Sequence, residues 1–284
     1  MPGDNARAQD KARTLPADCI LFDLEDAVGP AQKEQARARV AESLRAGGYG
    51  ARELAVRVNA LDTPWGEQDV RAFAHLPIDA IVLPKVQSPE EVSAVGGLLD
   101  TLGAPQSLRL WCMIETPLGV LRVAAIAASG GRLQALIAGT SDLTKDLRAL
   151  HTRERTPLLY SLSSIVVAAR AHQLVALDGV HLALDDAEGF DFACQQGRQL
   201  GFDGKTLIHP RQLDAANRHF APTASELTAA RRIVEAYDAA IAAGRGDALL
   251  DGRLIESLHV EEARRILALS AAIEVQSSSR GAPA

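Results

Sequence analysis

Short apolar runs alternate along the chain with longer stretches of helical character. The runs read as continuous Val, Ile and Leu segments, a pattern typical of parallel strands that are buried on both faces. Seven candidate strands follow one another in this way: Cys19–Leu24, Leu54–Asn59, Ala80–Val86, Leu110–Thr116, Ala135–Gly139, Leu177–Leu184 and Gly204–His209.

Several of the intervening segments carry recognisable helix starts and stops. Ser88-Pro89-Glu90-Glu91 is a capping box with proline at the first helical position, and Thr223-Ala224-Ser225-Glu226 is a second capping box. The alanine-rich segment Ala31–Ala46 ends on Gly47-Gly48, which predicts a helix stop. The chain therefore alternates strand and helix, as in a (β/α)8 barrel or a doubly wound sheet.

Two observations favour the α/β class with a (β/α)8 TIM-type barrel. No glycine-rich dinucleotide loop follows the first strand, and polar residues recur where the strands end, as they do at the catalytic face of barrel enzymes. A barrel needs eight strands, however, and the pattern contains seven. The first strand is therefore predicted to be missing, through a misassigned start, a shortened chain or a sheet that is open at that edge.

The character of the chain changes after His209. Pro210–Ala243 is helical, Gly244–Gly252 is rich in Gly and Asp, and His259–Ile273 has the pattern of an amphipathic helix. We expect a barrel domain over residues 1–221, a C-terminal helical arm or lid over 222–275 with a hinge at Gly244–Gly252, and a disordered tail over 276–284.

Composition narrows the class of partner. The chain has 284 residues, 47% of them hydrophobic and 23% charged, and a formal net charge of −6. This balance predicts neither a nucleic-acid partner nor a membrane partner. The three cysteines are widely spaced and form no CxxC pair, which indicates a reducing, cytoplasmic location.

Two candidate strands end on a carboxylate, Glu115 in one and Asp142 in the other. If these strands are parallel neighbours, both acids leave the same sheet edge with their backbones about 5 Å apart. Such a pair suits Mg²⁺, which takes one or two protein carboxylates and keeps positions for water and substrate. Glu25 and Asp26 could orient the metal-bound waters. The alternative is that Glu115 and Asp142 are capping or ion-pair residues.

Four further residues are candidates for substrate binding. Arg57 lies in an apolar strand, where its guanidinium could clamp a substrate carboxylate or form an ion pair with an acid such as Glu25. Lys85 and Lys205 could form a Schiff base with a carbonyl substrate, although each could instead pair with a carboxylate. Pro117 begins the helix that follows Glu115. The free N–H groups in the first turn of that helix could receive an anionic substrate oxygen.

The chain resembles the citrate lyase β-subunit-like proteins of the HpcH/HpaI aldolase superfamily, which include malyl-CoA and citramalyl-CoA lyases. The resemblance runs from Pro2 to about Leu269 through ordered motifs. These are Leu21–Val28, Val56–Asn59 with Asp62–Gly66, Val82–Val86, Ile114–Val120, Gly139–Leu143 and Gly201–Pro210.

The resemblance implies a (β/α)8 barrel, Mg²⁺ with Mn²⁺ as a substitute, and reversible carbon–carbon cleavage of a β-hydroxyacyl-CoA into acetyl- or propionyl-CoA and a 2-oxo acid. It implies a CoA thioester as the small-molecule partner and a homo-oligomer, trimeric or hexameric. By this resemblance Glu115 and Asp142 match the metal ligands and Arg57 matches the arginine that holds the 2-oxo acid. Glu25 and Asp26 match the acids that lie behind the metal ligands, and Arg7 and Lys11 match the basic residues that face the CoA phosphates.

The chain departs from the family pattern in two places. Only Pro2-Gly3 remains of an opening strand, and the segment Asp251–Glu256 ends in Glu where the family has the Asp that a neighbouring subunit supplies as acid/base. Glu256 could serve as that base, mark another substrate, or mark weakened activity. Two other readings stay open: a citrate lyase β-like subunit acting on a carrier-bound citryl thioester, and an acyl-CoA thioesterase or free-acid aldolase on the same scaffold.

Overall fold

A computed structural model of the chain describes residues 1–281 and contains a seven-stranded parallel sheet. The strands pair in chain order, each with the next, as they do in a TIM-type barrel. The predicted fold class is therefore confirmed, and each of the seven candidate strands corresponds to an observed one. They are β1 Cys19–Asp23, β2 Glu53–Arg57, β3 Ala80–Leu83, β4 Arg109–Ile114, β5 Leu133–Ala138, β6 Val175–Asp178 and β7 Gly204–Lys205.

All seven observed strands of the sheet end before the predicted ones do. β7 has two residues, and β6 ends at Asp178 where the apolar pattern continued to Leu184. Residues 179–184 leave the sheet because they form the loop that precedes the next helix, and Leu182 and Leu184 are exposed there. Apolar side chains in this loop had lengthened the predicted strand.

The outer edge of β1 is paired by the first residues of the chain. Pro2 forms a parallel bridge with Asp23, the Gly3 N–H donates to the Asp23 carbonyl at 2.8 Å, and the Asp23 N–H donates to the Met1 carbonyl at 2.8 Å. Met1–Gly3 thus occupy the position expected for a strand preceding β1, although they form only an isolated bridge.

Helices separate successive strands of the sheet. The capping box at Thr223 and Glu226 is confirmed, and the helix after β1 ends at Gly47, whose φ is +67°. Ser88 caps its helix by accepting from the Glu91 N–H, but the Glu91 carboxylate accepts from the Gln87 N–H and the Ser88 hydroxyl, so the box predicted there is only half formed. The helices are α1 Ala6–Ala12, α2 Lys33–Ala46, α3 Gly66–Phe73, α4 Pro89–Thr101, α5 Pro117–Leu121, α6 Val123–Ala127, α7 Thr140–Asp146, α8 Leu159–Ala171, α9 Ala187–Leu200, α10 Leu213–Phe220, α11 Ala224–Ala242 and α12 Ser257–Gly281.

The chain divides into two compact units, Met1–Ala216 and a second unit that begins at Asn217. The second unit contains α11, α12 and an antiparallel hairpin of β8 Ala248–Leu250 and β9 Arg253–Ile255. The first strand of the hairpin lies in the segment Gly244–Gly252, for which the sequence predicts a hinge, and the second strand follows that segment. The core around the hairpin includes Ala240, Ala248, Ile255 and Val260.

The last helix is longer than the pattern predicted. α12 continues to Gly281, so that residues 276–281 are helical where the sequence predicts a disordered tail, and residues 282–284 of that tail lie outside the described residues. Within residues 1–281, none of the helices combines the length and apolar character that crossing a membrane requires.

Candidate active site

A cluster of charged side chains lies where β1 to β5 reach their carboxyl ends. Asp23 and Arg57 are the last residues of β1 and β2, Lys85 and Glu115 follow β3 and β4, and Asp142 is in the first turn of α7 after β5. Parallel strands deliver these ends to one edge of the sheet. The candidate residues Glu25, Asp26, Arg57, Lys85, Glu115 and Asp142 are thereby brought together in the first unit.

Arg57 is held by a two-point ion pair with Asp23. Its Nε lies 2.7 Å from Asp23 Oδ1, its Nη2 bonds Asp23 Oδ2, and its Nη1 lies 3.1 Å from Glu25 Oε2. Burial opposes the guanidinium charge, but the Asp23 hydrogen bonds together with attraction to Asp23, Glu25 and Glu115 outweigh it, so the pKa of Arg57 is raised. Both the predicted pairing with Glu25 and a stronger partner, Asp23, are present.

Lys85 connects the two ends of the acidic cluster. Its backbone N–H donates to Glu115 Oε1 at 2.8 Å, while its ammonium bonds Glu25 and lies 3.3 Å from Asp26 Oδ1 and 3.9 Å from Asp142 Oδ2. Its φ of +51° is rare for a residue with a side chain. Strain of this kind persists only where surrounding contacts hold it, and it clusters at functional sites.

Glu115 is 2% exposed, whereas the Asp142 side chain is 24% exposed. Burial raises the pKa of Glu115 to about 7, and repulsion from Glu25 and Asp142 adds to the rise, although the Lys85 N–H and Arg57 oppose it. Glu115 packs closely on Gly139, which follows the next strand. A Cβ added at position 139 would lie 2.2 Å from the Cβ of Glu115. Only glycine fits at 139.

The cluster contains more carboxylates than cations. The acids Asp23, Glu25, Asp26, Glu115 and Asp142 surround the two cations Arg57 and Lys85, and Lys145 reaches Asp142 only at 3.9 Å from an exposed position. Among residues 1–281, no three His, Cys, Asp or Glu side chains converge as a metal ligand set. A cation here would rest on two carboxylates, with water and substrate completing its shell, which suits Mg²⁺.

Lys33 was not predicted from the sequence. Its Nζ donates to the main-chain carbonyls of Leu24 and Glu25, both at 2.7 Å, and it is 7% exposed. It therefore fixes the backbone that carries Glu25 and Asp26. A lysine at the start of an amphipathic helix gives no sign in the sequence that it turns inward to a preceding loop.

Lys205 belongs to a different environment. Its side chain is 0% exposed, and its Nζ lies 3.0 Å from Asp178 Oδ2, a carboxylate that Arg155 also binds at 2.7 Å. Lys205 thus pairs with a carboxylate and has no access to solvent, and so does not suit the Schiff-base alternative. Asp178 and Arg155 were not singled out in the sequence, because their pairing depends on a loop between α7 and α8.

Four predicted residues lie outside the cluster. Arg7 and Lys11 are exposed on α1, and Pro117 is the first residue of the short helix α5, where the Thr116 hydroxyl already caps the Gly119 N–H. Glu256 is in the second unit and exposed, with its N–H donating to His259 Nδ1 at 3.1 Å. The roles of these residues stay predictions.

The chain is similar to known proteins over most of its length. It is 44% identical to a (3S)-malyl-CoA thioesterase of Cereibacter sphaeroides, over 96% of this chain and 93% of the relative. It is 36% identical to the citrate lyase subunit beta of Escherichia coli, over 94% of this chain and 90% of that protein.

A solved structure and a family model indicate the same family as these relatives. The CitE protein of Mycobacterium tuberculosis in complex with magnesium, acetoacetate and coenzyme A aligns with a TM-score of 0.75 and 27% identity, covering 95% of this chain and 96% of that one. The family model described as HpcH/HpaI aldolase/citrate lyase matches residues 1–210. The chain belongs to the HpcH/HpaI aldolase/citrate lyase family.

Proposed function

We propose that this protein is a Mg²⁺-dependent lyase that cleaves a malyl-CoA-like β-hydroxyacyl-CoA into acetyl- or propionyl-CoA and a 2-oxo acid such as glyoxylate. The observation that carries the proposal is the position of Arg57 within a group of carboxylates. One fixed guanidinium can receive the substrate carboxylate, and the surplus acids can hold a divalent cation beside it. The similarity to the citrate lyase subunit beta of Escherichia coli supports lyase chemistry, and the similarity to the CitE structure with magnesium and coenzyme A supports the metal and the type of substrate.

Glu115 and Asp142 would hold the cation, which when bound supplies Lewis-acid stabilisation of charge that develops on the substrate oxygen. Glu25 and Asp26 would accept hydrogen bonds from water at the cation, and Mn²⁺ is expected to substitute for Mg²⁺. Lys85 holds Glu115 through its backbone N–H and places one positive charge between the acids. These residues fix the geometry in advance, so little reorganisation is needed during reaction.

Arg57 would bind the carboxylate of the 2-oxo acid fragment. Its Nε and Nη2 are committed to Asp23, whereas Nη1 lies 3.1 Å from Glu25 Oε2 and has weaker contacts to Met113 Sδ at 3.5 Å and Asp26 Oδ2 at 3.9 Å. Exchange of the Glu25 contact for a substrate oxygen keeps the Asp23 pair intact. Asp23 would then act as the residue that positions Arg57.

The reaction breaks the bond between the hydroxyl-bearing carbon and the carbon next to the thioester. The hydroxyl loses its proton as its carbon becomes the carbonyl of the 2-oxo acid, and the electron pair of the broken bond passes to the thioester enolate. A proton is then added to the enolate carbon, the one next to the thioester, to give acetyl-CoA. Glu256 is our candidate for this acid/base step, supplied within a trimeric or hexameric homo-oligomer, and Arg7 and Lys11 are candidates for the CoA phosphates.

A thioesterase is the second candidate, because the relative at 44% identity is named a (3S)-malyl-CoA thioesterase. Hydrolysis would break the bond from the acyl carbon to sulfur and release malate and free CoA thiol. The third candidate, a citrate lyase β-like subunit with a carrier-bound substrate, is supported by the similarity to the Escherichia coli protein. The three free cysteines support a reducing, cytoplasmic location for any of these enzymes.

Product analysis separates these candidates. We would incubate the full-length protein and Mg²⁺ with malyl-, β-methylmalyl-, citramalyl- and citryl-CoA, and quantify acyl-CoA, 2-oxo acid and free thiol. Equal amounts of acetyl-CoA and 2-oxo acid, lost with EDTA and in Glu115→Gln or Asp142→Asn, are the expected result. Glu67→Gln, which removes an exposed carboxylate paired with Arg71, is the matched control and should remain active.

Other product patterns would overturn the lyase assignment. Free thiol without 2-oxo acid would replace it with the thioesterase. Absence of any product, followed by turnover of a carrier-bound citryl thioester, would replace it with the citrate lyase β-like subunit. Unchanged activity in both carboxylate variants would remove the proposed metal site.

A further inference from the structure

The interior face of the barrel is divided into a charged half and an apolar half. Asp23 and Arg57 are level with each other on β1 and β2. On the other side, Met113, Ile137 and Leu177 are level with one another on β4, β5 and β6. The three apolar residues, here called the apolar wall, pack on the interior core cluster that includes Val82 and Trp111.

The strand register places the apolar wall near the carboxyl ends of the strands, where the charged cluster also lies. Arg57 is level with Val82, and Val82 is level with Trp111. Met113 is therefore two residues nearer the carboxyl end than the position of β4 that is level with Arg57. Since side chains two apart point to the same face, Met113 lies between Trp111 below and Glu115 above.

Met113 also touches the group that would bind substrate. Its Sδ lies 3.5 Å from Arg57 Nη1, the nitrogen with no contact to Asp23. Met113 and Leu177 are only partly buried, in contrast to Ile137, which is 1% exposed. Apolar surface thus remains open next to Arg57.

We propose that Met113 determines which 2-oxo acids the enzyme accepts, by packing against the carbon substituent next to the oxo group. The inference rests on the proposed function. A carboxylate on Arg57 Nη1 would lie beside Met113, the member of the apolar wall that contacts Arg57, whereas the other close neighbours of the guanidinium, Asp23 and Glu25, are charged. A hydrogen or methyl substituent fits this arrangement, whereas a longer alkyl chain meets the Met113 side chain. Met is flexible and polarizable, so it fills such a space without a rigid fit.

The test measures condensation of acetyl-CoA with glyoxylate, pyruvate, 2-oxobutyrate and 2-oxovalerate. Met113→Ala should raise kcat/KM for 2-oxobutyrate relative to glyoxylate by about tenfold or more, the usual effect of one or two methylenes in a pocket. Met113→Phe should shift the ratio in the opposite direction. Met113→Leu conserves volume and should keep the wild-type ratio.

Ile114→Ala is the matched control, because Ile114 is 0% exposed on the opposite face of β4 and should not alter the ratio. Calorimetric binding of the same four acids with Mg²⁺ gives a second readout if turnover is low. An active wild type whose Met113→Ala ratio stays within about twofold overturns this inference alone. Absence of condensation in the wild type with all four acids removes the proposed function and this inference with it.

Discussion

The backbone N–H of Lys85 donates to Glu115 Oε1, and the ammonium of the same residue bonds Glu25. One residue in a left-handed conformation therefore joins a candidate metal ligand to the acids on the loop after β1. The ammonium lies among Glu25, Asp26 and Asp142, where a divalent cation would also be attracted.

Lys85→Met should strengthen Mg²⁺ binding. Removal of one positive charge from the acidic cluster increases its attraction for a cation by about 1 kcal/mol after solvent screening, which is about fivefold in Kd. The backbone bond to Glu115 is unaffected by the substitution. Isothermal titration with MgCl₂ measures the change, and Lys145→Met, an exposed lysine 3.9 Å from Asp142, serves as the comparison with a smaller effect. Weaker binding in Lys85→Met would show that the ammonium is needed to shape the metal site.

Asp23→Asn should destabilise the fold and weaken substrate binding. The substitution leaves the Arg57 guanidinium with half of its buried pair, and loss of one partner in a buried ion pair costs about 3–5 kcal/mol. Urea unfolding should show this loss, and KM for the acyl-CoA should rise because Arg57 is no longer held. In Glu67→Gln the corresponding exposed pair should change stability by less than about 1 kcal/mol. Equal effects in the two variants would contradict the role assigned to Asp23.

Stability of the metal-free protein should fall as pH rises from 4.5 to about 7. The pKa of Glu115 is raised by burial from 4.5 to about 7, so the folded state binds its proton more tightly than the unfolded state does. That contribution, about 3 kcal/mol, is complete at low pH and is lost as pH passes the folded-state pKa. Chelator-treated protein and Glu115→Gln should be compared by urea unfolding at several pH values. A stability difference between them that does not change with pH would refute the assignment.

Gly139→Ala should disrupt the metal site through its contact with Glu115. The new Cβ would lie 2.2 Å from the Glu115 Cβ, so one of the two strands must shift. We expect destabilisation of about 1–3 kcal/mol and a loss of Mg²⁺-dependent turnover of about a hundredfold. Gly96→Ala on α4, where nothing lies within 4 Å of the new Cβ, should instead stabilise the protein by up to about 1 kcal/mol. Full activity in Gly139→Ala would show that the site tolerates a shift of Glu115.

Glu256→Gln should lower turnover while leaving Mg²⁺ affinity unchanged. A positioned acid or base contributes about 10²–10⁴-fold, and the amide cannot transfer the proton. Steady-state kinetics and titration with MgCl₂ measure the two quantities separately. Glu261→Gln, an exposed acid on α12, is the comparison variant. Wild-type turnover in Glu256→Gln would assign the proton transfer to another group.

The apolar pattern by itself determined the parallel α/β architecture. Strands such as Ala80–Leu83 are buried on both faces, and only a continuous apolar run satisfies both faces at once. The same logic predicted the meeting of Arg57, Glu115 and Asp142, because residues at the carboxyl ends of parallel strands share one edge. Capping at Ser88 and Thr223 was equally readable, since a cap depends on neighbours in sequence.

Tertiary structure alone decided the partners of these charges. Arg57 pairs with Asp23, 34 residues away, and Lys205 is buried on Asp178, 27 residues away. Lys33 reaches the Leu24 carbonyl across a loop, nine residues away and in another element. Their geometry follows from strand register and loop path, which local patterns do not encode. The raised pKa of Glu115 belongs to the same class, because it is caused by burial and by acids that only the folded sheet brings near.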